Sequence, residues 1–184
     1  MHIKINDIDF AYGSVPVLHD ITADLTGPKF VSILGPNGVG KSTLIQFLDG
    51  LLTPTEGTVL FKGRDIREKG FSLKELRQNV GLVFQYPEHQ LFEMTLLKDV
   101  CYGPKNLKLP KEEQEARAKE ALQLVGFTEA DYERSPFDLS GGRKRRAAIA
   151  GVLAMKPRML ILDEPAAGLD PKGRMDLLAM LRRV

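Results

Sequence analysis

The chain has 184 residues, 43% of them hydrophobic and 27% charged, which is enough for one domain with a sizeable core. The formal net charge is +2, from 26 Lys and Arg against 24 Asp and Glu, and this near-balance excludes a general attraction to nucleic acid. A single cysteine, Cys101, excludes an intrachain disulfide and fits a reducing compartment. No apolar run reaches membrane-spanning length and the N-terminus is not typical of a signal peptide, so we expect any role at a membrane to be performed from its surface through a partner.

The first third of the chain predicts strands around one helix. Apolar residues at alternating positions predict an opening strand at Ile3–Phe10 and a second strand at Val15–Leu25. The apolar run KFVSIL, Lys29–Leu34, ends at a glycine and predicts a buried strand. Leucines and an isoleucine at helical spacing predict a helix over Lys41–Leu52, and after a turn another strand is predicted at Thr58–Lys62.

The remaining two thirds predict more helix than strand. A short helix is predicted at Leu73–Gln78 and a strand at Val80–Phe84. From about Gln90 to Arg134 the pattern is helical and polar, with the charge run KEEQEARAKEALQLVGF as a solvated face. The rest of the chain predicts, in order, a helix over Ser140–Met155, a strand over Met159–Leu162, and a helix from Pro171 to the end.

Alternating strands and helices predict an α/β fold with a mostly parallel sheet. The helical middle indicates an insertion into that fold. We therefore predict a nucleotide-binding core formed by residues 1–86 and 145–184, and a helical subdomain formed by residues 87–144.

The stretch GPNGVGKST matches the phosphate-loop pattern G-x-x-x-x-G-K-[ST], and it stands between the predicted strand and the predicted helix. Glycines let successive backbone N–H groups surround phosphate oxygens, and the helix N-terminus adds partial positive charge. Lys41 is expected to reach the β- and γ-phosphates and the Ser42 hydroxyl to ligate Mg²⁺. The predicted nucleotide-binding residues here are Gly35, Pro36, Asn37, Gly38, Val39, Gly40, Lys41, Ser42 and Thr43.

A second motif, MLILDEP, places two carboxylates after an apolar strand. Open α/β sheets bind ligands at the carboxyl ends of their strands. Asp163 is expected to hold Mg²⁺, and Glu164 is the candidate catalytic base that orients or deprotonates the attacking water. The alternative is a capping pair before the next helix. Together the two motifs indicate a nucleoside-triphosphate hydrolase.

Four further motifs indicate which class of nucleoside-triphosphate hydrolase the chain resembles. Tyr12, Gln85, LSGGR (139–143) and GLD (168–170) resemble the adenine-contacting aromatic, Q-loop, signature motif and D-loop of ABC-type ATPases. The resemblance implies a P-loop NTPase core with an N-terminal antiparallel β portion, and ATP with Mg²⁺ as cofactors. It implies that Gln85 contacts the metal and takes part in catalysis with Lys41. Tyr12 could instead be an ordinary strand aromatic, and Gln85 an ordinary surface polar residue.

The segments FQYPEHQLFEMTLLKDVCYGPKN and SPFDLSGGRKRRAAIAGVLAMKPRMLILDEPAAGLDPKGR resemble the ATP-binding subunits of energy-coupling-factor importers for vitamins, cobalt or nickel. The resemblance implies a head-to-tail dimer with an identical or related ATPase subunit. It also implies a transmembrane coupling protein, a substrate-binding membrane protein and a peripheral location at the cytoplasmic face. Ser140, Gly141 and Gly142 would then meet the γ-phosphate of the partner's ATP, although Ser140 could also be a helix cap. Part of the segment around Tyr86 and Phe92 would meet the transmembrane partner.

The sequence departs from the family pattern in two places. Arg143 stands where glutamine is usual, and it could hydrogen-bond phosphate or ribose; by default the whole run Arg143–Arg146 is a solvated helical face. The histidines are His2, His19 and His89, all upstream of LSGG, whereas the family carries a switch histidine after the Asp-Glu pair. We therefore hypothesise a truncated form of a longer protein, or a gap filled in another way, that binds Mg-ATP but turns it over poorly.

Two other functions stay open at this point. One is a soluble ABC-type ATPase that acts on nucleic acid or ribosomes, which the near-neutral charge and the YPEHQLF segment disfavour. The other is a non-hydrolysing or remnant nucleotide-binding module. The sequence names neither the transported substrate nor the composition of the dimer.

Overall fold

The structure is a computed structural model that describes residues 2–27 and 30–183. The chain divides into two compact units, the first ending at Val80 and the second beginning at Gly81. The predicted division into a core and a helical subdomain at residues 87–144 stays a prediction.

The first unit contains a four-stranded antiparallel sheet. Its strands are β1 (Ile3–Tyr12), β2 (Val15–Asp24), β3 (Glu56–Phe61) and β4 (Arg64–Asp65), in the spatial order β2-β1-β3-β4. The β1–β2 pairing shifts register between Ile5 and Ala11, which twists the hairpin. Buried and exposed side chains alternate as the sequence predicts, with Ile3 and Ile5 of β1 and Val59 of β3 buried. The predicted antiparallel β portion is confirmed.

Two helices complete the described part of this unit. Helix α1 (Lys41–Leu48) is shorter than the predicted helix to Leu52, and helix α2 spans Leu73–Asn79. The chain turns at Gly50, where φ is +66° and a Cβ atom would lie 2.7 Å from the Leu73 side chain. The leucine spacing continued past this turn, so periodicity alone overestimated the length of α1.

The strand predicted at Lys29–Leu34 is not found where it can be checked. Lys29 lies outside the described residues, and Phe30–Leu34 are not in a strand. Phe30 is 97% exposed and Leu34 is 88% exposed, so the prediction of a buried strand is wrong for these residues. A strand requires a neighbour that accepts its backbone hydrogen bonds, and an apolar composition does not supply that neighbour.

The second unit combines a small parallel sheet with four helices. Its strands are β5 (Val80–Val83, of which all but Val80 belong to this unit) and β6 (Met159–Leu162), and they are neighbours in a parallel sheet. Their bounds agree with the two predicted apolar strands. The helices are α3 (Leu96–Asn106), α4 (Lys111–Leu124), α5 (Gly141–Leu153) and α6 (Pro171–Leu181).

One hydrophobic core joins the elements of this unit. Val83 of β5, Val100 of α3, Leu122 of α4 and Ile149 of α5 are each fully buried in it. A short 3-10 turn at Pro87–Gln90 lies between β5 and α3. Two more, at Glu129–Asp131 and Pro136–Asp138, lie between α4 and α5. The core therefore fixes the start of α5, where the LSGG turn lies.

Among the residues that the structure describes, no helix is long and apolar enough to cross a membrane.

Candidate functional site

The phosphate loop lies open in the first unit. Residues 35–39 are exposed, and Gly38 and Gly40 have φ values of +80° and +98°. A Cβ atom on Gly40 would lie 2.9 Å from the Leu18 side chain and 3.1 Å from the Val17 carbonyl oxygen, both on β2. Only glycine fits there, because the left-handed backbone and the close strand exclude a side chain. Gly40 therefore sets the entry of the loop into α1.

The donors of the loop fit a triphosphate. In the described part of the chain, no side-chain capping hydrogen bond is made at the N-terminus of α1, which carries the partial positive charge of a helix start. The Lys41 ammonium donates to the carbonyl oxygens of Gly35 and Pro36, at 3.0 and 2.8 Å, and so lies over the loop. Ser42, in the first turn of α1, offers a hydroxyl oxygen of the kind that Mg²⁺ accepts as a ligand. The residues present fit ATP with Mg²⁺.

Tyr12 lies at the end of β1 and is 51% exposed. Its ring meets the Phe10 ring edge to face at 4.8 Å between centroids, and Phe10 meets Phe47 of α1 in the same way at 5.1 Å. Phe47 is fully buried, so this aromatic series links Tyr12 to the helix that follows the phosphate loop. Its predicted contact with adenine stays a prediction.

Gln85 and the Asp163-Glu164 pair lie together in the second unit. The Asp163 N–H donates to the Val83 carbonyl oxygen at 2.9 Å, which joins the ends of β6 and β5. The Gln85 side-chain amide donates to a Glu164 carboxylate oxygen at 3.3 Å, although 79 residues separate them. Asp163 is 9% exposed. The structure thus places the predicted amide beside the predicted base, whereas the catalytic and metal-binding roles stay predictions.

The LSGG turn begins helix α5. Ser140 occupies the N-cap position, but its side chain makes no capping hydrogen bond, unlike the cap considered from the sequence. Nothing lies within 4 Å of where a Cβ atom of Gly141 or Gly142 would stand. The turn also lines a cavity of about 340 Å³ together with residues near the start of α6, including Lys172. A serine hydroxyl and two glycine amides are therefore open to a ligand.

The GLD segment leads directly into helix α6. The Asp170 carboxylate accepts a hydrogen bond from the Gly173 N–H at 2.9 Å. Asp170 therefore caps this helix. Gly168 has a φ of +72°, and a Cβ atom there would lie 3.5 Å from the Tyr86 ring, so the segment passes close to the chain that follows Gln85.

Arg143 turns towards its own unit. Its guanidinium donates to the Asp131 carboxylate at 2.7 Å and lies over the Phe127 ring, 4.8 Å from the ring centroid. A backbone hydrogen bond from Thr128 holds the pKa of Asp131 below its usual value, although burial opposes this, and the hydroxyl of Thr128 and the charge of Arg143 lower it further. In this structure Arg143 thus secures the LSGG turn against the Glu129–Asp131 turn.

The expectation that Arg143–Arg146 forms a solvated face is wrong. Arg145 is only 2% exposed, and Arg143, Lys144 and Arg146 are partly buried. Helical spacing in the sequence indicates the burial of Arg145, because Arg145 shares a face of α5 with the apolar Ile149 and Val152. The charge of the run therefore gave the wrong prediction for Arg145.

The segment after Gln85 contains both buried and exposed side chains. Pro87 and Leu91 are buried, whereas Tyr86 and Phe92 are 42% and 53% exposed. The Phe92 ring packs edge to face against Tyr102 of α3 at 4.9 Å. Exposed aromatic rings held by such contacts suit a protein-binding surface.

Comparison with known proteins places this geometry in a family. Residues 18–167 match the ABC transporter family. The chain is 50% identical over its full length to the energy-coupling factor transporter ATP-binding protein EcfA2 of Caldanaerobacter subterraneus subsp. tengcongensis. It is 53% identical, over 89% of its length, to EcfA2 of Bacillus subtilis. The chain therefore belongs to the ABC transporter family. It spans 66% and 60% of the lengths of these two relatives.

Solved structures agree with the fold. CbiO1 of Clostridium perfringens, described as part of the ABC transporter complex cbiONQ, is 40% identical with a TM-score of 0.86, covering 97% of this chain and 71% of that one. The ATP-binding cassette MJ0796, in a dimeric structure of a post-hydrolysis state bound to ADP and Pi, is 29% identical with a TM-score of 0.82. That match covers 98% of this chain and 82% of the cassette. The α/β P-loop fold expected from the sequence is confirmed.

Proposed function

We propose that this protein is an ATP-binding and ATP-hydrolysing subunit that powers a membrane importer for vitamins or transition-metal ions. The observation that carries the proposal is the 50% identity to EcfA2 over the whole chain. The open phosphate loop and the Gln85–Glu164 contact support it, because each has a function in ATP hydrolysis.

Each predicted residue has a defined task in this proposal. Lys41 and the loop amides bind the β- and γ-phosphates, and Tyr12 stacks on adenine. Ser42, Asp163 and Gln85 hold Mg²⁺, which supplies positive charge to the phosphate oxygens. Glu164 accepts a proton from the attacking water, and Gln85 orients that carboxylate.

The LSGG turn acts on a second nucleotide in this proposal. Ser140 and the amides of Gly141 and Gly142 contact the γ-phosphate of ATP bound by another subunit, identical or related. Their open environment and the uncapped start of α5 support this role. The MJ0796 cassette is described as dimeric, which is consistent with it.

The partners and the location follow from the same family likeness. The proposed assembly contains a transmembrane coupling protein and a substrate-binding membrane protein, and this subunit is peripheral at the cytoplasmic face. The exposed rings of Tyr86 and Phe92 are the proposed contacts with the coupling protein. Substrate identity then belongs to another polypeptide.

Binding and hydrolysis can be tested separately. Calorimetry with Mg-ATP should show binding that Lys41→Ala weakens at least about tenfold, because the phosphates lose their cation. Glu164→Gln should bind ATP normally and release phosphate at least about a hundredfold more slowly than the unaltered protein. Binding that is insensitive to Lys41→Ala, or undiminished hydrolysis by Glu164→Gln, would contradict the proposal.

A further inference from the structure

Arg145 is buried at the meeting point of three chain segments of the second unit. It lies on α5, one helical turn after Gly141. Its Nε and Nη2 groups donate to the two carboxylate oxygens of Glu88, at 3.0 and 2.9 Å. Its Nη1 group donates to the carbonyl oxygens of Pro165 and Ala167, at 3.0 and 2.6 Å. One guanidinium therefore joins α5, the Pro87–Gln90 turn and the chain after Glu164.

The two segments that Arg145 joins are both conformationally strained. Tyr86, directly after Gln85, has a φ of +56°, and Glu164 has a φ of +45°. A non-glycine residue in this left-handed region is unfavourable and persists only where its surroundings enforce it. The contacts of Arg145 begin one residue after Glu164 and two residues after Tyr86. The Arg145 guanidinium also lies 5.7 Å from the centre of the Tyr86 ring.

The chemistry of this link requires an arginine. The planar guanidinium presents a fixed fork of donors, one side of which matches the Glu88 carboxylate while the other reaches two carbonyl groups. Lysine would keep the charge, but its donors radiate from one atom and cannot span these acceptors together. Burial pushes the pKa of Glu88 upward, but the hydrogen bonds of Arg145, a backbone hydrogen bond and the charges of Arg145 and His89 together hold this pKa below its usual value. Glu88 is thus held as a carboxylate.

We propose that Arg145 is a positioning residue that keeps Gln85 and Glu164 in register by holding the segment after each of them in one arrangement. The Gln85–Glu164 contact at 3.3 Å spans the same two segments, so it depends on their spacing. The kinetic consequence rests on the proposed ATPase function, whereas the structural consequence does not. Nothing in this role requires Arg145 to touch nucleotide.

Hydrogen exchange measured by mass spectrometry tests the structural link without any need for catalysis. In Arg145→Lys the amides of residues 85–90 and of residues 164–168 should exchange faster together, by about tenfold. Glu88→Gln, which keeps the shape but removes the charge, should loosen the same two segments to a smaller extent. Lys144→Met is the matched control on the same helix and should leave both segments unchanged. Faster exchange in only one segment, or equally in Lys144→Met, would overturn the proposal.

Steady-state kinetics then tests the consequence for catalysis. Arg145→Lys should lower kcat about 10- to 100-fold and leave the Kd for ATP within about threefold, because the base is displaced while the phosphate loop is intact. A purely structural role would lower the melting temperature and leave kcat per folded molecule unchanged, and that result would overturn the proposal. If the unaltered protein failed to hydrolyse ATP, the proposed function would fall, while the exchange measurement would still decide the role of Arg145.

Discussion

The positive charge after the LSGG turn is used mainly within the protein. Arg143 pairs with Asp131, and Arg145 pairs with Glu88, 12 and 57 residues away. Each pair joins α5 to a different 3-10 turn, so the two arginines fix the start of the helix from two sides. A charged run at a helix start thus becomes a set of anchors for a turn that contains two flexible glycines.

Substitution in the Arg143–Asp131 pair should measure one of these anchors. Arg143→Gln should lower the free energy of unfolding by about 1–2 kcal/mol, because the charge-assisted bond to Asp131 and the contact with the Phe127 ring are lost. A double-mutant cycle with Asp131→Asn in urea titrations isolates the pair energy. Strict additivity of the two substitutions would show that the pair contributes nothing. The Kd for ATP should not change, since Arg143 turns away from a nucleotide role.

Asp49 should make stability depend on pH in the opposite sense to a paired carboxylate. Burial at the end of α1 raises its pKa to about 6 from an ordinary value of 3.8, and the charge of Arg77 only partly opposes this. The unfolded chain therefore loses this proton first, so stability should fall as the pH rises from about 4 to about 6 and then remain level. The difference between these two pKa values corresponds to a loss of up to about 3 kcal/mol in the free energy of unfolding.

Replacement of this carboxyl checks the sign. Asp49→Asn should be more stable than the unaltered protein at pH 7.5 by up to about 3 kcal/mol, and equally stable at pH 4 or below. Urea unfolding followed by circular dichroism over this pH range gives the comparison. Asp20→Asn, at an exposed position on β2, is the control and should show no such convergence. An Asp49→Asn variant that is less stable at pH 7.5 would contradict the argument.

At the scale of elements, local pattern was sufficient for several of the strands and helices. The β1–β2 hairpin, strand β6 and helix α5 appear close to their predicted bounds. Phe30–Leu34 has the composition of a buried strand, but composition cannot show whether a neighbouring strand is present. The Arg145–Glu88 pair was equally invisible, because it joins residues 57 positions apart through tertiary packing.

Strand β3 contains a glycine that the pairing of strands demands. Gly57 has a φ of +81°, and a Cβ atom there would lie 2.2 Å from the Asp7 carbonyl oxygen of β1. Gly57→Ala should therefore destabilise the protein by about 2–4 kcal/mol, from backbone strain together with a clash that no side chain can relieve. Gly63→Ala is a matched control, because its φ is +83° but nothing lies within 4 Å. It should cost only about 1–2 kcal/mol in the same urea titration, and equal losses would contradict this account.

At the scale of the whole molecule, the family motifs are divided between the two compact units. Tyr12 and the phosphate loop belong to the first unit, and Gln85, the Asp-Glu pair and the LSGG turn belong to the second. The order of these motifs along the chain was sufficient to predict the family, and the family match over residues 18–167 confirms it. The proposed split site requires more than this order: the LSGG turn must contact ATP held by another subunit and not the ATP of its own chain.

Ser140→Arg tests this demand directly. A large cation in the open LSGG turn should leave the Kd for Mg-ATP within about twofold, because the phosphate loop of the same chain is unaltered. It should also lower the ATP-dependent dimer fraction at least about tenfold, because the side chain occupies the place of the partner's γ-phosphate. Calorimetry measures the first quantity, and analytical ultracentrifugation measures the second, with the chain alone and with a related ATPase subunit. Asp138→Arg, exposed two residues earlier, controls for added charge and should dimerise normally. Weakened binding of ATP by the Ser140→Arg monomer would show that the turn serves its own nucleotide and would contradict the split site.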